Sequence, residues 1–148
     1  RKLLAVLSRQ DVLKAMQYMQ KQPQMGETIE SAVWNGFEVC RNEDGDLVVH
    51  GNISPVMIGE LGNASETVLA GLMIKTAFQA IRAQKRGDLV LENMTAYFIK
   101  PLQIDSEVAI VPKTIEVSRK FGKVEVEVRH GRELIAKAML TAQLIEQG

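Results

Sequence analysis

The feature that most limits what this chain can become is a run of residues with almost nothing to offer water. From Val68 to Ile81 nearly every side chain is apolar, and Ser65, Glu66 and Thr67 introduce the run. The exceptions are Lys75, Gln79, Arg82 and Arg86, at spacings of four, three and four, which places them on one narrow stripe of a helix. The pattern predicts a single long helix over residues 65–86, buried on most sides. Such a run is too short to span a bilayer, so the rest of the chain has to supply its cover.

That cover reads as antiparallel sheet. Phe37–Arg41 and Leu47–Asn52 flank Asp44-Gly45, a pair tolerant of positive φ, which predicts a hairpin. Counting back from a turn centred on Asp44-Gly45 pairs Val39 with His50 and Cys40 with Val49. On that register Cys40 and His50 point to opposite faces and form no nucleophile–base dyad. From Asp88 onward the period is two. Met94, Ala96 and Phe98 alternate with Thr95, Tyr97 and Ile99, and Val124, Val126 and Val128 alternate with charged residues. The last strand presents Leu134, Ala136, Ala138, Leu140, Ala142 and Leu144 on one face, and its alanines leave room for a helix to lie close. Gly122 and Gly131 are expected at the turns between the last three strands. The order of a hairpin, one helix and about four strands is an α+β layout, an antiparallel sheet wrapped around one central helix.

Residues 1–27 read differently. An apolar stretch over residues 2–7 has strand character, Ser8 with Asp11 forms a capping pattern, and Val12, Leu13, Ala15, Met16 and Met19 recur at helical spacing before Pro23. A strand and a helix cannot make a core alone, so a boundary is expected near residue 27, with residues 28–148 as the main domain. The start, inside an apolar run, suggests a piece of a longer protein. Eighteen basic and eighteen acidic residues cancel, leaving no excess field for nucleic acid or an anionic membrane. One cysteine excludes an internal disulfide, and no signal-peptide pattern is visible, so a cytoplasmic protein is expected. No group of His, Cys and carboxylates has metal-ligand spacing, His130 beside Gly131 reads as a surface residue, and no metal site is expected.

Several segments taken together resemble the hotdog thioesterases. They are Tyr97 to Leu102 with Lys100-Pro101, Asp105 to Val108, Val117 to Val124 with Arg119 and Lys120, and Ile135 to Ala138. Their order and spacing match that family's aromatic-basic-proline strand end, acidic turn, basic turn and alanine-rich last strand, from about Gly36 to the end. The resemblance implies the hotdog fold. It also implies a homodimer, or a dimer of dimers, that binds acyl-CoA or a related thioester and needs no other cofactor. The stretch from Leu4 to Leu13 resembles the closing strand and helix of a CBS domain, in which Ser8 and Asp11 would stand where a nucleotide ribose is held. Together they resemble bacterial proteins that join a DRTGG domain, a CBS pair and a C-terminal hotdog domain.

In hotdog thioesterases the thioester carbonyl lies near the start of the central helix and a carboxylate activates water. Glu66, in the first turn, is the carboxylate this implies, with Asn63 and Ser65 as groups that can orient water or carbonyl. Glu66 also complements the helix dipole, and Asn63 and Ser65 also read as caps. The family's frequent Gly-His-Gly-Gly before the helix is absent, and Gly62-Asn63-Ala64-Ser65 stands in its place. Arg119, Lys120 and Lys123 are implied contacts for the CoA phosphates, and equally a solvated basic turn. Three functions stay open: a thioesterase, a ligand sensor that does not turn over (like the hotdog part of malonyl-CoA-responsive repressors), and a dimerisation module.

Overall fold

The computed structural model describes residues 28–145, so the strand and helix expected before residue 23, with Ser8 and Asp11, lie outside the described residues. The chain divides into two units, residues 1–32 and 33–148. A short helix, α1 (Ile29–Trp34), is one that the hydrophobic pattern does not predict. Its signal is Thr28 and, three residues later, Ser31. The Ser31 N–H donates to Thr28 Oγ1 at 3.0 Å and the Thr28 N–H donates to Ser31 Oγ at 2.9 Å, a reciprocal cap.

In the second unit the expected order appears: β1 (Phe37–Arg41), β2 (Leu47–Asn52), a single 3-10 turn (Pro55–Met57), α2 (Glu66–Arg82), β3 (Asp88–Phe98), β4 (Glu107–Val117), β5 (Phe121–His130) and β6 (Glu133–Ile145). The strands form one antiparallel sheet in the order β1-β2-β4-β5-β6-β3. Helix α2 packs on one face of it, chiefly over β4 and β5. Leu69, Leu72, Met73, Thr76, Ala77, Ala80 and Ile81 form its buried side. Facing them are Ile110, Val124, Val126, Val128 and Leu140, none exposed to solvent, with Ala136, Ala138 and Ala142 keeping the sheet surface low beneath the helix. Each large side chain buried here contributes about 1.5–3 kcal/mol.

Four expectations need correction. First, α2 ends at Arg82, not Arg86, so Arg86 is off the polar stripe. The stop is tertiary: Gly87, at φ 148°, turns the chain so that Asp88 can pair with Ile145. Second, among the described residues the helix is fully buried on one side only. Gly71 is exposed, and Val68, Ala70, Ile74 and Phe78 are half-buried. Lys75 and Gln79 are half-buried too, and the Lys75 ammonium lies 5.4 Å from the centre of the Trp34 ring.

Third, Gly122 is not in a turn. It lies within β5, and a Cβ there would come within 2.7 Å of Ile81 Cδ1, so the residue seats the end of α2 against the sheet. The turn itself is made by Ser118, whose Oγ accepts from the Lys120 and Phe121 N–H groups. Gly131, at φ 61°, does occupy the β5–β6 turn. Fourth, the first hairpin pairs Glu38 with His50 and Cys40 with Val48. Asn42 and Asp46 close a three-residue loop in which Gly45 has φ 84°, in place of the expected two-residue loop. The one-residue slip brings Cys40 and His50 onto the same face. The Cys40 thiol is nevertheless directed at the Val48 carbonyl, 3.5 Å away, so no dyad results.

Candidate functional site

A cleft of about 560 Å³ opens where α2 begins. One wall is the segment before the helix. Ile58 and Ala64 form an isolated bridge, the Gly59 N–H donates to the Asn63 carbonyl (2.8 Å) and the Gly62 N–H to the Gly59 carbonyl (3.1 Å). This makes a tight turn with Glu60 and Leu61 at its tip, and Gly62 provides the positive φ of 83° that the turn requires. Leu61 is 92% exposed, at the mouth of the cleft. Bonds from the Ala64 N–H to the Leu102 carbonyl and from the Ser65 N–H to the Met57 carbonyl, both 2.8 Å, fix the entry to the helix. The other wall is the last residue of β3, Phe98, together with Ile99, Lys100 and Pro101. Leu69, only 4% exposed, closes the floor toward the core.

Asn63, Ser65 and Glu66 all line this cleft. Ser65 occupies the N-cap position with extended backbone, yet its hydroxyl makes no capping bond. The first bond of the helix runs from the Leu69 N–H to the Ser65 carbonyl at 2.9 Å. Among the described residues, therefore, the N–H groups of Glu66, Thr67 and Val68 have no partner, and the positive end of the helix dipole faces the cleft. Open backbone donors beside a carboxylate that makes no ion pair can bind a carbonyl oxygen and hold a water against it.

Lys100 also lines the cleft and is ion-paired with Glu133 at the start of β6. The hydrogen bond from Lys100, and then its charge, hold the Glu133 carboxyl below the ordinary glutamate value. Lys100, Glu60 and Leu61 line the cleft too, and the sequence pattern does not single them out. Lys100 is legible only as part of the strand-end word, and Glu60-Leu61 carries no signal.

Arg119, Lys120 and Lys123 are not brought to the cleft of the same chain. Arg119 and Lys120 lie in the β4–β5 turn, next to the start of β5, where Gly122 underlies Ile81 near the end of α2. At about 1.5 Å per residue, the helix sets that end roughly 22 Å from Glu66. Lys123 is on β5, paired with Thr141 and Glu116 on the face turned away from the helix. The two histidines are also elsewhere: His50 faces outward on β2, and His130 Nδ1 lies 2.7 Å from the Glu107 carbonyl oxygen. Among the described residues no group of His, Cys, Asp and Glu could hold a metal, and no helix is long and apolar enough to cross a membrane.

An antiparallel six-stranded sheet on one long helix, with a cleft at that helix's start, defines a hotdog-type domain. The family description "Thioesterase superfamily" matches residues 61–136, and the chain belongs to that superfamily. The uncharacterized protein YtoI of Bacillus subtilis (strain 168) is 42% identical over 147 residues, 99% of this chain but 34% of YtoI, so the chain spans about a third of that relative's length. Among solved structures, the BH2602 protein from Bacillus halodurans with CoA superposes with a TM-score of 0.72 at 18% identity, covering 98% of this chain and 99% of that one. A hypothetical thioesterase protein with coenzyme A from Streptococcus pneumoniae TIGR4 gives 0.70 at 18% identity, covering 78% and 91%. Zebra fish thioesterase superfamily member 2 gives 0.72 at 19%, covering 94% and 99%.

Proposed function

We propose that the chain binds an acyl-CoA or related acyl thioester in the cleft at the start of α2 and hydrolyses it. The observation that carries this reading is the convergence there of open N–H groups of Glu66, Thr67 and Val68 with the Glu66 carboxylate, Asn63 and Ser65. In the mechanism the thioester carbonyl oxygen lies against the N–H groups, which stabilise the oxyanion as it develops. Glu66 takes a proton from a water that attacks the carbonyl carbon. The tetrahedral intermediate collapses by breaking the C–S bond, and the thiolate leaves with a proton returned from Glu66. Asn63 and Ser65 orient the water.

The phosphates are met by a second copy. Strand β3 is eleven residues long, lies at the sheet edge, and exposes Val90, Tyr97 and Phe98. An unpaired edge of that length is satisfied by antiparallel pairing with its own copy about a two-fold axis. Phe98 lines the cleft, while Leu89 at the far end pairs with Leu144, whose N–H donates to the Lys120 carbonyl. Antiparallel pairing therefore carries the partner's basic turn toward this cleft. The homodimer supplies cations that the single chain keeps some 22 Å away. The CoA in two structural neighbours supports this choice of ligand. The cytoplasm, and a longer protein with a DRTGG domain and a CBS pair whose end is residues 1–27, complete the proposal; the greater length of YtoI agrees with a longer chain.

The test is to incubate the chain with acyl-CoAs of short, long and aryl type, monitoring free-thiol release and the thermal midpoint. Thiol release by the wild type, lost in Glu66→Gln while ligand still raises the midpoint, is expected. Release unaffected by Glu66→Gln contradicts the assigned base. A second reading, sensing without turnover, is favoured by the lack of a histidine in the cleft. It predicts a raised midpoint with no thiol released by the wild type.

A further inference from the structure

Three residues lining the cleft carry charge: Glu60, Glu66 and Lys100. The cation is already compensated from outside the cleft. Lys100 Nζ is paired with Glu133, and the backbone holds the two together. The Ile99 and Lys100 N–H groups donate to the Ile135 carbonyl at 2.8 and 3.2 Å, setting Lys100 beside the first residues of β6. Glu60 and Glu66 belong to no ion pair among the described residues. The cleft thus holds two carboxylates without an ion-pair partner and a lysine whose charge is cancelled by Glu133.

We infer that Glu133 sets the charge selectivity of the cleft, so that it accepts thioesters with a neutral acyl group and rejects those ending in a carboxylate. The inference rests on reading the cleft as an acyl-thioester site. A third carboxylate brought between Glu60 and Glu66 meets repulsion from both; the open N–H groups are taken by the thioester carbonyl, the partner's basic turn by the phosphates, and the one cationic side chain that this chain puts in the cleft is engaged by Glu133. Removing Glu133 releases Lys100 toward the ligand. Because the Lys100–Glu133 pair is exposed it adds little to stability, so its loss is felt in selectivity and not in folding.

The experiment measures affinities of butanoyl-CoA and succinyl-CoA, which share a four-carbon acyl chain, for the wild type, Glu133→Gln and Lys100→Met. The wild type is expected to prefer butanoyl-CoA by about tenfold, the usual scale of one unfavourable charge contact at a partly exposed site. In Glu133→Gln that preference falls to about threefold or reverses, while Lys100→Met keeps or widens it. The inference is overturned if the wild type binds both ligands equally, if Glu133→Gln leaves the ratio unchanged, or if Lys100→Met narrows it. Butanoyl-CoA binding without discrimination leaves the thioester reading standing. Absence of butanoyl-CoA binding overturns the inference, and absence of binding by long and aryl acyl-CoAs as well removes the thioester reading.

Discussion

Replacing Gly122 by alanine tests whether this glycine seats the helix. A Cβ at position 122 would lie 2.7 Å from Ile81 Cδ1, 2.8 Å from Cγ1 and 3.1 Å from Cγ2, roughly 1 Å inside ordinary carbon–carbon contact. Ile81 is fully buried and cannot swing into solvent, and β5 is held on both sides by β4 and β6, so the strand cannot retreat. Overpacking of this kind costs about 1–3 kcal/mol, and removing a strand glycine returns about 0.5–1 kcal/mol. The net loss is about 1 kcal/mol, or a midpoint lowered by about 4 °C for a chain of this size. Thermal melts monitored by circular dichroism measure it, and the Ile81→Ala background provides the control. With the isoleucine branches gone, the added methyl fills vacated space, so Gly122→Ala becomes neutral or stabilising there. An equal loss in both backgrounds, or no loss in the wild type, refutes the seat.

Thr76 is fully buried and its hydroxyl has no hydrogen-bond partner, so Thr76→Val should raise the thermal midpoint, by about 1 kcal/mol of stability; a lowered midpoint contradicts this. Glu133 should titrate below the ordinary glutamate range in an NMR pH series and return to it in Lys100→Met. Because its folded value is depressed, the small stabilisation from the pair is present above the unfolded value and fades as pH falls through the folded one. Sedimentation should give twice the chain mass, and a monomer at micromolar concentration would remove the partner's basic turn from the site.

Much of the fold is legible in the sequence because period and length carry it. The apolar run over residues 68–81 gives one long helix packed on the sheet, and alternation from Met94 to Phe98 and from Val124 to Val128 gives strands, as found, though the helix is fully buried on one side only. The misreading of Gly122 comes from a contact distant in sequence, and that of the hairpin register from a loop length that its local residues leave open. Gly122 looks like a turn because a glycine between alternating segments usually is one; the side chain that forbids a Cβ there, Ile81, is forty-one residues earlier. The Cys40–His50 geometry depends on whether the hairpin loop holds two residues or three, and Asp44-Gly45 suits both.

At the site, Asn63, Ser65 and Glu66 are legible because a helix start is a local feature, and they do share one cleft. Lys100 and Glu133 are not, since their pairing depends on the strand order that sets the end of β3 beside the start of β6. The basic turn is legible as a cluster, but its place at the far end of α2 depends on the packing of Gly122 under Ile81.

The central claim is that a thioester carbonyl is received by the first turn of α2. Amide NMR spectra recorded during a titration with butanoyl-CoA test it most directly. Saturable shifts concentrated at the Glu66, Thr67 and Val68 N–H resonances and at the Asn63 side-chain amide are predicted. Saturable binding that leaves those resonances in place and moves others would contradict it.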